Sequence, residues 1–124
     1  PIGTTEKMRD YLATIRPDLK LPGITEDPDI NIAHSPERIL PGNVLKELVQ
    51  NDRVIGGITP TCAEKAASFY QLFVDGICHE TDSQTAELVK LAENAYRDTN
   101  IAFANELSLL CDKHEINVWE MEHL

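Results

Sequence analysis

The stretch Arg53-Val54-Ile55-Gly56-Gly57-Ile58-Thr59-Pro60-Thr61 decides the fold. Val54, Ile55 and Ile58 read as a buried strand that ends in a glycine turn. Thr59-Pro60-Thr61 then opens a helix, with Thr59 or Thr61 as its cap and Pro60 suited to the first turn, where its missing N–H costs nothing. That helix is expected to run to about Val74 and to bury Ala66, Ala67, Phe69, Tyr70 and Phe73.

Working outward, Gly3 to Asp18 has Met8, Tyr11, Leu12 and Ile15 at helical spacing, with Thr4 or Thr5 as cap and Pro17 as the stop. Leu21 to Asp29 carries Pro22, Gly23 and Pro28 and reads as a loop. Ile30 to Ala33 reads as a short strand, Ser35 to Arg38 as a turn, Pro41-Gly42 as a break, and Val44 to Gln50 as a short helix. Ile77 to Thr81 is a third strand. The order is helix, strand, helix, strand, helix, strand, which argues for α/β architecture with a parallel sheet flanked by helices. Three strands leave such a sheet unfinished, so further strands are expected before Pro1. The missing initiator Met and the stop at Leu124, just after a helix start, are expected to mark cut ends.

No Gly or Pro occurs between Ile77 and Leu124. Asp82 or Ser83 can cap a helix there, and the helical pattern runs to about Lys113-His114, roughly 30 residues and longer than globular helices usually are. Ile101-Ala102-Phe103-Ala104 is apolar on every side, which implies burial against another domain or subunit. Asn117 then looks like the cap of one more helix, with Glu120 three residues on.

Composition narrows the function. Hydrophobic residues at 42% support a packed core. A net charge of −10 repels phosphate backbones and anionic lipid, so neither nucleic acid nor membrane is an expected partner. Three cysteines without close spacing form neither a disulfide framework nor a zinc signature, which points to a reducing cytoplasm. Nothing in the sequence is a GxGxxG, P-loop or GxSxG motif, and the four histidines lack metal spacing.

Chemistry-bearing groups gather in two places. Glu87, Lys90, Asn94 and Arg97 stand at i, i+3, i+7 and i+10, one face of the long helix. An amine and an amide one turn apart suit an oxyanion, and a guanidinium suits a carboxylate or phosphate. The same spacing also suits a solvated face with Glu87–Lys90 and Glu93–Arg97 ion pairs. Ser35-Pro36-Glu37-Arg38-Ile39-Leu40-Pro41-Gly42 follows a strand, where open α/β sheets place ligands, and Arg38 there could meet an anion. A proline-stiffened connector is the plainer alternative. Cys62 lies near a helix start, where thiolate is favoured, and Cys111 reads as core.

Together the segments 1–8, 31–42, 51–60 and 85–106 resemble the UDP-sugar dehydrogenase family. They read PIGTTEKM, NIAHSPERILPG, NDRVIGGITP and TAELVKLAENAYRDTNIAFANE, and Ile116-Asn117-Val118-Trp119-Glu120 continues the likeness. The resemblance implies residues 1–82 as the last strands and helices of a Rossmann-like NAD-binding domain. It implies residues 83–124 as the long central helix and the start of the next, with homodimerisation through the 83–115 helix. The glycine-rich cofactor loop would precede Pro1 and a catalytic cysteine would follow Leu124. Such enzymes oxidise a primary alcohol to a carboxylate in two hydride transfers to NAD. The expected substrate is UDP-N-acetyl-D-mannosamine, oxidised at C6, with UDP-N-acetylglucosamine or another UDP-sugar as the alternative. Carried over by position, Lys90 and Asn94 would be catalytic. Arg38, Ile39, Lys90, Asn94 and Arg97 would bind substrate, with Glu37 in support. Pro41 stands where the UDP-glucose branch has an acidic residue. A non-catalytic helical dimerisation module is the competing interpretation.

Overall fold

The computed structural model describes residues 1–39 and 42–123. Pro41, and with it the difference from the UDP-glucose branch, lies outside them. The chain divides into two compact units, Pro1–Lys90 and Leu91–Leu124.

The first unit contains α1 (Thr4–Ile15), β1 (Ala33–His34), α2 (Val44–Gln50), β2 (Arg53–Gly57), α3 (Pro60–Tyr70) and β3 (Cys78–Asp82). It also holds the opening turns of α4 (Ser83–Lys113), which runs through the boundary. The strands form one sheet in the order β1-β2-β3. β2 and β3 are parallel, with Ile55 opposite Glu80, so the α/β class holds. β1 is antiparallel to β2, pairing Ala33 with Gly57 and His34 with Gly56, which departs from the all-parallel expectation. The helix that follows β1 accounts for this. A parallel return needs a crossover running back along the strand, but α2 has 7 residues, about 10 Å of helix. It stays at the amino end of β2, where Arg53 Nη2 donates to the carbonyl of Leu48 at 2.7 Å.

The core is built from small groups. Ile55, Cys62, Ala63, Ala67, Val74 and Ala86 are buried between sheet and helices. Thr59 caps α3, its side-chain oxygen accepting from the amide of Cys62. The expected burial of Phe69 and Phe73 is not found. They are 60% and 41% exposed, because α3 meets the sheet through its cysteine and alanines. The two rings instead pack edge to face at 5.7 Å. Gly56 marks a tight joint between sheet and helix. A Cβ there would lie 2.5 Å from the Ala86 Cβ and 2.5 Å from the Asp82 carbonyl, so only hydrogen fits between β2 and the start of α4.

In the second unit α4 ends without glycine. Glu115 takes the left-handed conformation (φ 56°), and the amide of Ile116 reaches back to the Cys111 carbonyl at 2.9 Å. Asn117 caps α5 (Val118–Glu122), its side-chain oxygen accepting from the Trp119 amide at 3.1 Å. Cys111 is buried, as expected. Ile101 and Phe103, in the apolar section of α4, are 54% and 66% exposed. Among the described residues no helix is long and apolar enough to cross a membrane.

Gly56→Ala is expected to destabilise the chain by about 2 kcal/mol, because the methyl must displace backbone rather than a flexible side chain. Denaturant unfolding of the two proteins checks it.

Candidate functional site

The segment after β1 and the beginning of α4 meet at Lys90. Its Nζ donates to the backbone carbonyl of Glu37 and lies 3.8 Å from the Glu37 carboxylate. The same carboxylate accepts from the Ile39 amide, which folds 37–39 into a tight turn. Glu37 and Ile39 are thus gathered beside Lys90.

Arg38 faces elsewhere. It lines a cavity of about 520 Å³ with Gln50, Asn51, Asp52 and His79. Because β1 runs against β2, residues 35–39 pass toward the amino end of the parallel pair, where Asp52 and His79 stand. This differs from the expected place outside the strand carboxyl ends. Asp52 accepts from the Ile77 amide at 2.8 Å, and its carboxylate is 3.5 Å from His79. The Ile77 hydrogen bond, then His79 and the charge of Arg38, hold it below the usual carboxylate range.

In the second unit Asn94 is half-buried and Arg97 exposed, and Arg97 Nη2 donates to Asn94 Oδ1 at 2.9 Å. With its oxygen engaged in this way, the Asn94 amide keeps its NH2 group as a donor.

Glu87 is not part of a solvated stripe. It is 7% exposed and turned toward α1. One carboxylate oxygen accepts from the Thr5 amide (2.8 Å) and the Thr5 hydroxyl (2.6 Å). The other accepts from the amides of Gly3 (2.5 Å) and Thr4 (3.3 Å). The expected caps Thr4 and Thr5 do not cap α1, since both hydroxyls act as donors, Thr4 to the Pro1 carbonyl. Gly3, at φ 81°, is the N-cap and brings no side chain, so the carboxylate from α4 takes that place. Burial alone would push Glu87 up. The bonds from Thr5, Gly3 and Thr4 together outweigh it and hold the group below its ordinary value.

A second cavity, about 230 Å³, opens at the carboxyl ends of β2 and β3 and is lined by Gly57–Pro60 and Glu80–Asp82. Its hydroxyls and carboxylates suit a hydroxyl-bearing sugar better than a phosphate. Asp82 there accepts from the Thr85 hydroxyl at 2.6 Å and the Thr85 amide at 2.9 Å, and so caps α4. Those bonds, the hydroxyl's first, hold it below the usual range. The cysteines give no nucleophile. The Cys62 thiol is fully buried and points to Asn31 Oδ1 at 3.7 Å, and burial pushes the Cys78 thiol up. Among the described residues no cluster of His, Cys, Asp or Glu is fit to hold a metal ion.

Two family models match the chain. The NAD binding domain of the UDP-glucose/GDP-mannose dehydrogenase family matches residues 1–74, and the central domain of that family matches 84–124. A UDP-N-acetyl-D-mannosamine dehydrogenase of Yersinia pestis is 58% identical over 100% of the chain and 30% of that protein. An NDP-N-acetyl-D-galactosaminuronic acid dehydrogenase of Ralstonia nicotianae is 58% identical over 98% of the chain and 29% of that protein. The solved structure of a UDP-D-ManNAc dehydrogenase from Pyrococcus horikoshii aligns with a TM-score of 0.87 at 45% identity, covering 98% of this chain and 28% of that one. The chain therefore spans about 30% of the length of the curated relatives it matches.

Replacing Glu87 by Gln is expected to cost about 2 kcal/mol near pH 7, the scale of losing hydrogen bonds to a charged acceptor. A lowered carboxylate contributes stability above its unfolded value of about 4.3 and loses it as pH falls through the folded value. The gap between the two proteins should therefore begin to narrow as pH falls below about 4.3, which unfolding at pH 7 and pH 3.5 measures.

Proposed function

Because the chain belongs to the UDP-glucose/GDP-mannose dehydrogenase family, we propose that it is part of an NAD-dependent enzyme oxidising C6 of UDP-N-acetyl-D-mannosamine to the uronic acid in two steps. Residues 1–82 supply the closing part of the NAD-binding domain, and residues 83–124 the central helix. The observation that supports this most directly is the contact of Lys90 with Glu37. It brings together, from 53 residues apart, the helix and the segment that would meet the sugar. The two relatives reported above act on N-acetylated hexosamine derivatives by their names, which favours that substrate class over UDP-glucose.

In this scheme Lys90 and Asn94, four residues apart on one helix, place an ammonium and an amide N–H against the oxygen at the reacting carbon and stabilise it as charge develops. Lys90 also moves the proton, as a positioned amine beside the reacting oxygen. Arg97 holds the anionic part of the substrate, Ile39 lines its pocket, and Glu37 keeps Lys90 in place, whereas Arg38, turned to the neighbouring cavity, has no direct part in this scheme. NAD supplies the hydride acceptor when bound. Thr59, Glu80, Thr81 and Asp82 fit its hydroxyl groups, whereas the phosphate-binding glycine loop is not in this sequence. A cytoplasmic setting suits the free thiols.

The exposed Ile101 and Phe103 favour a homodimer through the 83–115 helix. A purely structural pairing module is the second reading of the same surface. The two separate in the genomic reading frame. The enzyme requires a strand–GxGxxG–helix unit upstream and a glycine-flanked cysteine downstream, and a frame with neither leaves only the pairing module.

In the complete enzyme, Lys90→Ala is expected to lower kcat by about 10²- to 10³-fold, the scale of losing one charge-stabilising donor. Its melting temperature should barely move, because a partly exposed ion pair contributes little. Unaltered turnover in steady-state assays rejects the assigned role.

A further inference from the structure

We propose that Glu87 is a positioning residue for Lys90, a role that rests on the catalytic reading of Lys90 above. The start of α4 is pinned at three points. Glu6 of α1 accepts from the Ser83 hydroxyl at 2.8 Å and from Gln84 Nε2 at 3.2 Å. Ala86 lies against Gly56 of β2 with room only for hydrogen. Glu87 then accepts four hydrogen bonds from Gly3, Thr4 and Thr5. The two helices thus exchange carboxylates, each serving the amino end of the other.

The first two pins hold α4 in place along and against the sheet. Glu87 fixes its rotation, because both carboxylate oxygens are engaged by donors of fixed backbone direction. Lys90 comes three residues later, on the same face. Its amine reaches the Glu37 carbonyl from there. A side-chain tip about 6 Å from the helix axis moves about 2 Å for a twist of 20°. A displacement of that size exceeds what a reacting geometry tolerates. The three-residue step therefore converts a buried carboxylate into an aim for the amine.

The test is a double-mutant cycle in the complete enzyme, reading kcat and KM separately. Glu87→Gln keeps the shape but sets a donor against backbone N–H groups. It is expected to lower kcat about 10-fold, with KM for the nucleotide sugar changed less than twofold. Combined with Lys90→Ala, the same substitution is expected to add no further loss, because the amine it aims is gone. Thr5→Val, which removes one hydroxyl bond only, should show a smaller loss with the same dependence on Lys90, and it carries the test if Glu87→Gln does not fold. Equal losses with and without Lys90 overturn the proposal, as does unchanged kcat in Glu87→Gln. If Lys90→Ala alone leaves turnover intact, the catalytic reading itself falls, which is a separate result.

Discussion

A helix that begins without a capping side chain leaves several amides pointing at nothing, together with a partial positive charge. In α1 that deficit is met by an ionised carboxylate from a helix that starts 79 positions after it. Glu6 returns the favour at the start of α4. The amino end of α1 depends on α4 for its cap, whereas α4 carries its own cap in Asp82 and gains Glu6 as a further tie to α1. Everything that α4 presents to the segment after β1 inherits its direction from that exchange.

Strand polarity arranges the rest. With β2 and β3 parallel and β1 reversed, the two ends of the sheet differ in character. One end carries Arg38, Asp52 and His79 around a roomy polar cavity. The other carries the turn between β2 and α3 and the acidic tip of β3.

Local signals were legible and distant ones were not. The bounds of α2, the Thr59 cap and the Asn117 cap follow from neighbours a few residues apart, and α4 was readable because nothing in its sequence interrupts it. The direction of β1 was hidden, since two residues of strand carry no sign of polarity. The aromatic side of α3 was misjudged because hydrophobic character does not reveal that alanines, by allowing closer approach, win the sheet-facing position. Glu87 was the hardest. At helical spacing from Lys90 it looks like an ordinary surface partner, and its true partners stand 82 to 84 residues away. Its neighbour Ala86, needed against Gly56, was the one available hint that this turn of the helix is buried. Of the residues singled out, Glu37, Ile39 and Lys90 come together, and Arg38 turns to another cavity.

β3 ends at Asp82 and α4 begins at Ser83, so strand and helix are joined without a connecting residue. There is no slack at that junction to absorb movement. If the strand slipped by one position along its neighbour, Asp82 would turn to the opposite side of the sheet and abandon the Thr85 amide. The helix would then lose its first turn rather than merely shift. Sheet register and helix integrity are a single mechanical variable here, and the opening of α4 behaves as a lever rigidly keyed to the edge of the sheet.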